Sequence, residues 1–141
     1  MCFKIEEFDA GHTEDLRRVF LEARLANFYW LNPAHLELSD FDHSTRGELI
    51  LVATNNGTPV GFIACWEADN FIHSLFVDPK FTGKGIGKLL LKSCLATIGR
   101  PATLKCITKN SRALRFYYAQ GWKKQARSRS PEGTYYLLSY D

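Results

Sequence analysis

Apolar and polar residues change period several times along this chain of 141 residues, and each change marks an element. Residues Met1 to Glu7 alternate as a strand does. Thr13 reads as the cap of a helix in which Leu16, Val19, Phe20 and Ala23 recur at helical spacing, stopped by Leu31-Asn32-Pro33. Ala34 to Gly47 carries mixed signals and reads as a short helix or a loop. Glu48 to Thr54 and Thr58 to Glu67 are strand-like, joined by the hairpin signal Asn55-Asn56-Gly57, with Gly61 marking a bulge. Ala68-Asp69-Asn70 turns the chain into a further strand, Phe71 to Val77. Next comes a helical stripe of Ile86, Leu89, Leu90, Cys94 and Ile98, ended by Gly99-Arg100-Pro101, and then a strand from Ala102 to Thr108. Strand, crossover helix and strand make a βαβ unit, so these two strands are expected to be parallel neighbours. Asn110 or Ser111 caps a helix with the stripe Ala113, Phe116 and Tyr117, and Gly121 stands where a left-handed terminator is wanted. Trp122 to Arg129 and Thr134 to Tyr140 form a closing hairpin through Ser130-Pro131-Glu132-Gly133.

Composition narrows the classes. With 45% hydrophobic and 13% aromatic residues and no linker, residues 1–141 are expected to form one domain. A net charge of +3 spread along the chain is too small to imply nucleic acid. Cys2, Cys65, Cys94 and Cys106 are widely spaced, three of them in apolar runs, as reduced buried thiols are, and no C-x-x-C pair suggests zinc. Asp40, Asp42 and His43 lack an ordered ligand spacing, so no metal is expected. No apolar run reaches membrane-spanning length and no targeting segment is recognisable, which points to a cytoplasmic protein.

The most informative segment is Val77-Asp78-Pro79-Lys80-Phe81-Thr82-Gly83-Lys84-Gly85-Ile86-Gly87-Lys88, where an apolar strand enters a glycine-rich loop that opens a helix. Glycines permit positive φ and close backbone approach. The first helical N–H groups lack internal partners and sit at the positive end of the dipole, so a phosphate or diphosphate suits the place. The Walker pattern fails, because Gly83 to Gly87 is one residue short and Leu89 replaces the metal-binding hydroxyl. The dinucleotide pattern fails too, since the third glycine follows the second after one residue.

Gly-Lys-Gly-Ile-Gly after Val-Asp-Pro resembles the coenzyme A diphosphate loop of the GNAT superfamily of acyl-CoA-dependent N-acyltransferases, Arg/Gln-x-x-Gly-x-Gly/Ala. Gly85 and Gly87 match, whereas Thr82 stands at the Arg/Gln position, leaving that role missing or taken by Lys80, Lys84 or Lys88. A second block, Asn110 to Trp122, resembles the family's Asn, Ala, Phe-Tyr and Gly-Phe signature, with Trp122 for the last Phe. The element order is similar to the GNAT fold over the whole chain. The resemblance implies an α/β (α+β) domain with a mixed, mostly antiparallel sheet, flanking helices, and a parallel strand pair that splays to admit pantetheine. It implies acetyl-CoA as cosubstrate, held by Leu75, Phe76, Val77, Thr82, Gly83, Lys84, Gly85, Ile86, Gly87, Lys88, Asn110, Ala113, Phe116 and Tyr117.

Acyl transfer from a thioester to an amine needs a neutral amine, a donor for the oxyanion and a proton for the leaving thiolate. The resemblance puts Tyr117 in place as the acid, against the reading of a packed core tyrosine. Backbone N–H groups near Leu75 and Phe76 are the oxyanion candidates. Asn110 either bonds the pantetheine or only caps its helix. For the general base, His73 on the central strand competes with Glu67 at the end of the preceding one. By analogy the acceptor pocket would draw on Phe28, Tyr29, Trp30, Glu37, Asp40, Asp42, Tyr135 and Tyr136. The expectation is an N-acetyltransferase acting on a primary amine of a small molecule or peptide by direct attack, with no nucleic acid or membrane partner and with room for a homodimer. A noncatalytic acyl-CoA-binding sensor is the alternative.

Overall fold

The computed structural model describes residues 3–141, so the first two positions of the opening strand lie outside the described residues. Seven strands form one sheet, β1 (Phe3–Glu7), β2 (Leu49–Asn55), β3 (Thr58–Trp66), β4 (Phe71–Val77), β5 (Ala102–Ile107), β6 (Lys123–Ser130) and β7 (Gly133–Tyr140). Their spatial order is β1-β2-β3-β4-β5-β7-β6, and among the described residues only β4 and β5 pair in parallel. The helices are α1 (Thr13–Asn27), α2 (Asp40–Thr45), α3 (Ile86–Leu95) and α4 (Ser111–Ala119). This is the mixed, mostly antiparallel sheet expected from the resemblance.

Local chemistry explains most of the elements. At the β2–β3 hairpin Asn56 and Gly57 both have positive φ, 52° and 83°, as a two-residue turn matched to strand twist demands. Asn110 Oδ1 accepts the Ala113 N–H at 3.3 Å and caps α4, and Gly121, at φ 96°, ends it. The start of α1 differs from expectation. Thr13 is not the cap but the first helical residue, because a 3-10 turn, Ala10–His12, precedes it. Asp9 secures that turn through the Gly11 N–H at 2.7 Å, and its own N–H donates to His12 Nδ1 at 3.1 Å. The helix also stops at Asn27, four residues before the expected breaker. In α3 the inner face takes Leu91 rather than Leu89, which is 37% exposed.

Two apolar cores sandwich the sheet. Ile63, Ile72, Ile86, Leu90, Leu104 and Leu138 lie on the face covered by α3 and α4. Leu16, Phe20, Phe41, Val52 and Phe62 fill the face beneath α1 and α2, where Phe41 and Phe62 meet edge to face at 5.1 Å. Each such fully buried side chain contributes about 1.5–3 kcal/mol of transfer free energy.

Three irregularities in the sheet position the functional region. Between β2 and β3 the register skips Val60, so the expected bulge sits one residue before Gly61. Gly61 has a different duty, since a Cβ there would lie 3.0 Å from the Phe76 carbonyl oxygen. Between β3 and β4 the register skips His73, making it the extra residue of a second bulge. Finally, β4 and β5 pair only at Phe71–Thr103 and Ile72–Leu104. Beyond Ile72 each strand stays bonded on its outer side, β4 to β3 through Val77 and β5 to β7 through Ile107, while a gap opens between them.

Candidate active site

The glycine loop presents unused donors. Asp78 is buried and ties the strand end in place: its N–H donates to Val60 O at 2.8 Å, its Oδ1 accepts the Lys80 N–H at 3.0 Å, and Oδ2 meets Arg18 Nη1 at 3.2 Å. Phe81 N–H closes back on Asp78 O at 2.8 Å, and protein bonding resumes at Leu89 N–H, which donates to Gly85 O at 3.0 Å. Among the described residues, no protein acceptor takes up the N–H groups in between, from residue 82 to residue 88. Gly83 and Gly85 hold φ of 77° and 83° with no atom within 4 Å of a would-be Cβ, so conformation rather than space calls for glycine. Gly87 is different: it faces the Phe116 ring, and a Cβ there would sit 3.7 Å from Cζ. The loop and the first turn of α3 thus present a run of unused N–H donors at the positive end of a helix, an arrangement that suits an anion.

A cleft of about 1450 Å³ runs from this loop through the gap between β4 and β5 to the far face of the sheet. Leu75, Phe76 and Val77 wall it on one side, Cys106 and Ile107 on the other, and Asn110, Ala113, Phe116 and Tyr117 of α4 close it. Thr82, Gly83, Gly85, Ile86, Gly87 and Lys88 line its loop end. Lys84 does not, because it projects from the loop tip between two positive-φ glycines and is exposed. Thr82 turns inward on its own loop, its hydroxyl donating to Pro79 O at 3.2 Å. That leaves Lys88 as the one expected loop cation on the wall, since Lys80 belongs to a separate hollow of about 370 Å³.

Tyr117 reaches the cleft from α4. It is 9% exposed, and burial, reinforced by nearby Cys106, raises its hydroxyl pKa well above the ordinary phenol value. The group stays a neutral donor at any working pH. Burial pushes the Cys106 thiol up to about 11, so its thiolate is scarce near neutrality. His73 stands at the bulge where the strands part, lines the cleft, and stacks on Phe71 at 6.5 Å. Its Nδ1 lies 3.3 Å from Glu48 Oε1 and 3.1 Å from Oε2. Glu67, the rival base, is placed elsewhere: β3 ends at Trp66, and the following 3-10 turn, Glu67–Asp69, carries it exposed and off the cleft wall.

The acceptor end is aromatic. Phe28 and Trp30 stack at 4.6 Å, and Tyr29 and Tyr135 complete the wall. Of the expected carboxylates only Asp40 lines it, and Arg24 Nη1 occupies Asp40 Oδ2 at 3.0 Å. Asp42 is drawn off by Arg17 at 2.8 Å, Glu37 is exposed outside the wall, and Tyr136 lies under Lys124. Among the described residues no group of three or more metal-ligating side chains occurs, and no helix is long and apolar enough to cross a membrane.

The profile of the Acetyltransferase (GNAT) family matches residues 10–122 of this sequence, which carry the loop, the gap and α4. The chain belongs to that family. Peptidyl-lysine N-acetyltransferase YjaB of Salmonella typhimurium is 33% identical over 95 residues, covering 67% of this chain and 63% of that protein, so the match spans just under two thirds of the relative's length. In architecture the chain superposes on apo YjaB from Escherichia coli with a TM-score of 0.82 at 23% identity, over 99% of this chain and 98% of that one. It also superposes on the PaiA N-acetyltransferase of Thermoplasma acidophilum in complex with coenzyme A, with a TM-score of 0.82 at 21% identity, over 99% and 100%.

As a GNAT chain it departs from the family's loop pattern at Thr82, whose hydroxyl is spent on Pro79 O within the loop although the residue lines the cleft. Two contributors went unrecognised in the sequence. Asp78, part of the Val-Asp-Pro run, fixes the loop through Arg18, a residue 60 positions away. Glu48 was read only as the first residue of a strand. The alternation it shares with Ile50 and Val52 places it on the face of α1 and α2, but only the bulge brings His73 to it.

Proposed function

We propose that this GNAT protein is an N-acetyltransferase that moves an acetyl group from acetyl-CoA to a primary amine by direct attack in a ternary complex, the lysine side chain of a peptide being the favoured acceptor. The observation that carries the reading is the continuity of one cleft from the free loop amides, past Tyr117, to an aromatic mouth on the other face of the sheet. The amides of residues 82–88 would take the diphosphate with Lys88 beside them, and pantetheine would follow the gap-facing edge of β4 past Leu75, Phe76 and Val77. Asn110, already an N-cap, would meet it from the opposite side, while Ala113 and Phe116 pack against it.

The chemistry then follows from the wall. His73 takes a proton from the acceptor ammonium, and the freed lone pair attacks the thioester carbonyl carbon. Charge gathers on the carbonyl oxygen, where N–H groups of β4 left unpaired by the parting of the strands stabilise it. The C–S bond breaks, the Tyr117 hydroxyl gives its proton to the sulfur, and the second proton shed by the new amide nitrogen replaces it. A relay through Cys106 is disfavoured by its raised pKa. The peptide-lysine acceptor is supported by the likeness to YjaB, a peptidyl-lysine N-acetyltransferase, and by the aromatic mouth, which suits the long apolar stem and cationic head of lysine.

The test follows free thiol during incubation with acetyl-CoA and three acceptor sets: lysine peptides with blocked N-termini, peptides with free N-termini and no lysine, and small amines. Fastest release with the lysine peptides, cut about 100-fold in kcat by Tyr117→Phe with coenzyme A affinity unchanged, is the expected result. Binding of coenzyme A without thiol release on any acceptor would replace the enzyme with a sensor.

A further inference from the structure

We infer that Glu48 is a positioning residue that fixes the tautomer and orientation of His73, so that the base of the proposed transfer is a carboxylate–imidazole pair built across three strands. The inference rests on the acetyltransferase reading and deepens it. Its ground is geometric. Glu48 stands immediately before β2, with its N–H bonded to Thr45 O at 3.0 Å at the end of α2. The residue before it, Gly47, has φ 79°, and a Cβ there would lie 3.3 Å from the Trp66 ring, so both conformation and space favour glycine where the chain enters β2. β2 and β4 are separated by β3, a span of roughly 9.5 Å between backbones, and side chains standing upright on a regular sheet would not close it to a hydrogen bond. The bulge removes the obstacle. Because His73 is the unpaired extra residue, its side chain turns aside from the regular alternation and meets Glu48 at 3.1 Å.

Burial makes the contact consequential. The Glu48 side chain is 8% exposed and that of His73 is 46% exposed. A carboxylate enclosed to that degree requires a donor, and among the described residues the group bonded to it is His73 Nδ1. An ionised carboxylate only accepts, so Nδ1 carries the hydrogen. The lone pair of neutral imidazole is then on Nε2, the nitrogen left for the cleft that His73 lines. Glu48 itself is not among the residues lining the cleft, which is why it acts through His73 and not on the acceptor. Holding one imidazole tautomer through a carboxylate at Nδ1 is an established use of such a pair.

Two readouts test the assignment. In the wild-type protein labelled with ¹⁵N, the side-chain resonances of neutral His73 should show Nδ1 protonated and Nε2 bare, and Glu48→Gln should mix the tautomers, because an amide can donate as well as accept. This readout needs no turnover. In the thiol-release assay, Glu48→Gln should lower kcat about 10-fold with KM for acetyl-CoA unchanged, while His73→Ala falls about 100-fold and regains activity with added imidazole. If the wild type does not turn over, the acetyltransferase reading fails, and the tautomer measurement still judges the pair. Wild-type turnover with an Nε2-protonated His73, or with Glu48→Gln and His73→Ala both at wild-type rate, overturns the inference.

Discussion

Burial decides which side chains of the cleft can do chemistry. Tyr117 of α4 and Cys106 of β5 both line the cleft, and desolvation moves both toward their neutral forms. For the phenol this preserves a proton to give. For the thiol it removes a nucleophile: with a pKa of about 11, only about one molecule in 10⁴ carries a thiolate at pH 7. Cys106→Ala should therefore keep kcat within about threefold, and no acetylated thiol should appear by mass spectrometry after incubation with acetyl-CoA alone. Arg24 and Asp40 show the same balance at the mouth. Burial alone would raise the Asp40 carboxyl, but the Glu37 N–H and Arg24 outweigh it and hold the group below the ordinary carboxylate range. A depressed carboxyl contributes stability that is complete above its unfolded pKa of about 3.9 and is lost as pH falls through the folded value. Asp40→Asn should accordingly lower Tm at pH 7, with a cost on the order of 2 kcal/mol given a nearly buried Arg24 left behind. The Tm difference from wild type should shrink as melts are taken down to about pH 2.5.

Elements place these residues, and the glycine loop is the element with the sharpest requirement. Gly83 and Gly85 are needed for positive φ in open space, so Gly85→Ala should strain the loop by about 1–2 kcal/mol and misdirect its amides. The expected outcome is coenzyme A affinity weakened about 10-fold by calorimetry, with little change in Tm. Gly87→Ala should be milder, since its Cβ would reach the Phe116 ring only at ordinary contact distance. Strand and helix identities could be read from periodicity because each stripe faces one core, as Ile86, Leu90 and Cys94 do. The exceptions have local causes. The cap of α1 was misread because Asp9 and His12 form a 3-10 turn ahead of Thr13, and a capping residue cannot announce which of two nearby starts it serves. The stripe of α3 differs from the periodic reading at one member, Leu91 in place of Leu89, because Gly87 one turn before Leu91 faces inward with no apolar side chain to mark that line. The bulge at His73 has no residue signature at all. It is visible only in the pairing of two strands, where Ala64 faces Ser74 and the next residue, Cys65, faces Ile72.

At the scale of the molecule, the sheet is two paired blocks, β1-β2-β3-β4 and β5-β7-β6, and the seam between β4 and β5 is where they part. The sequence could place the loop and α4, because both signatures are contiguous, and it could name the strands that flank the seam. It could not show Glu48 reaching His73 or Arg18 holding Asp78, which depend on residues 25 and 60 positions apart meeting in space. The central claim is that the free amides of the loop and the gap-facing edge of β4 together hold an acyl-CoA. Titration of the ¹⁵N-labelled protein with acetyl-CoA, followed by backbone amide resonances, tests it most directly. The account predicts the largest shifts at residues 82–88, with a second set running along β4 from Ser74 to Val77. Saturable shifts confined to other surfaces, or none at millimolar acetyl-CoA, would contradict it.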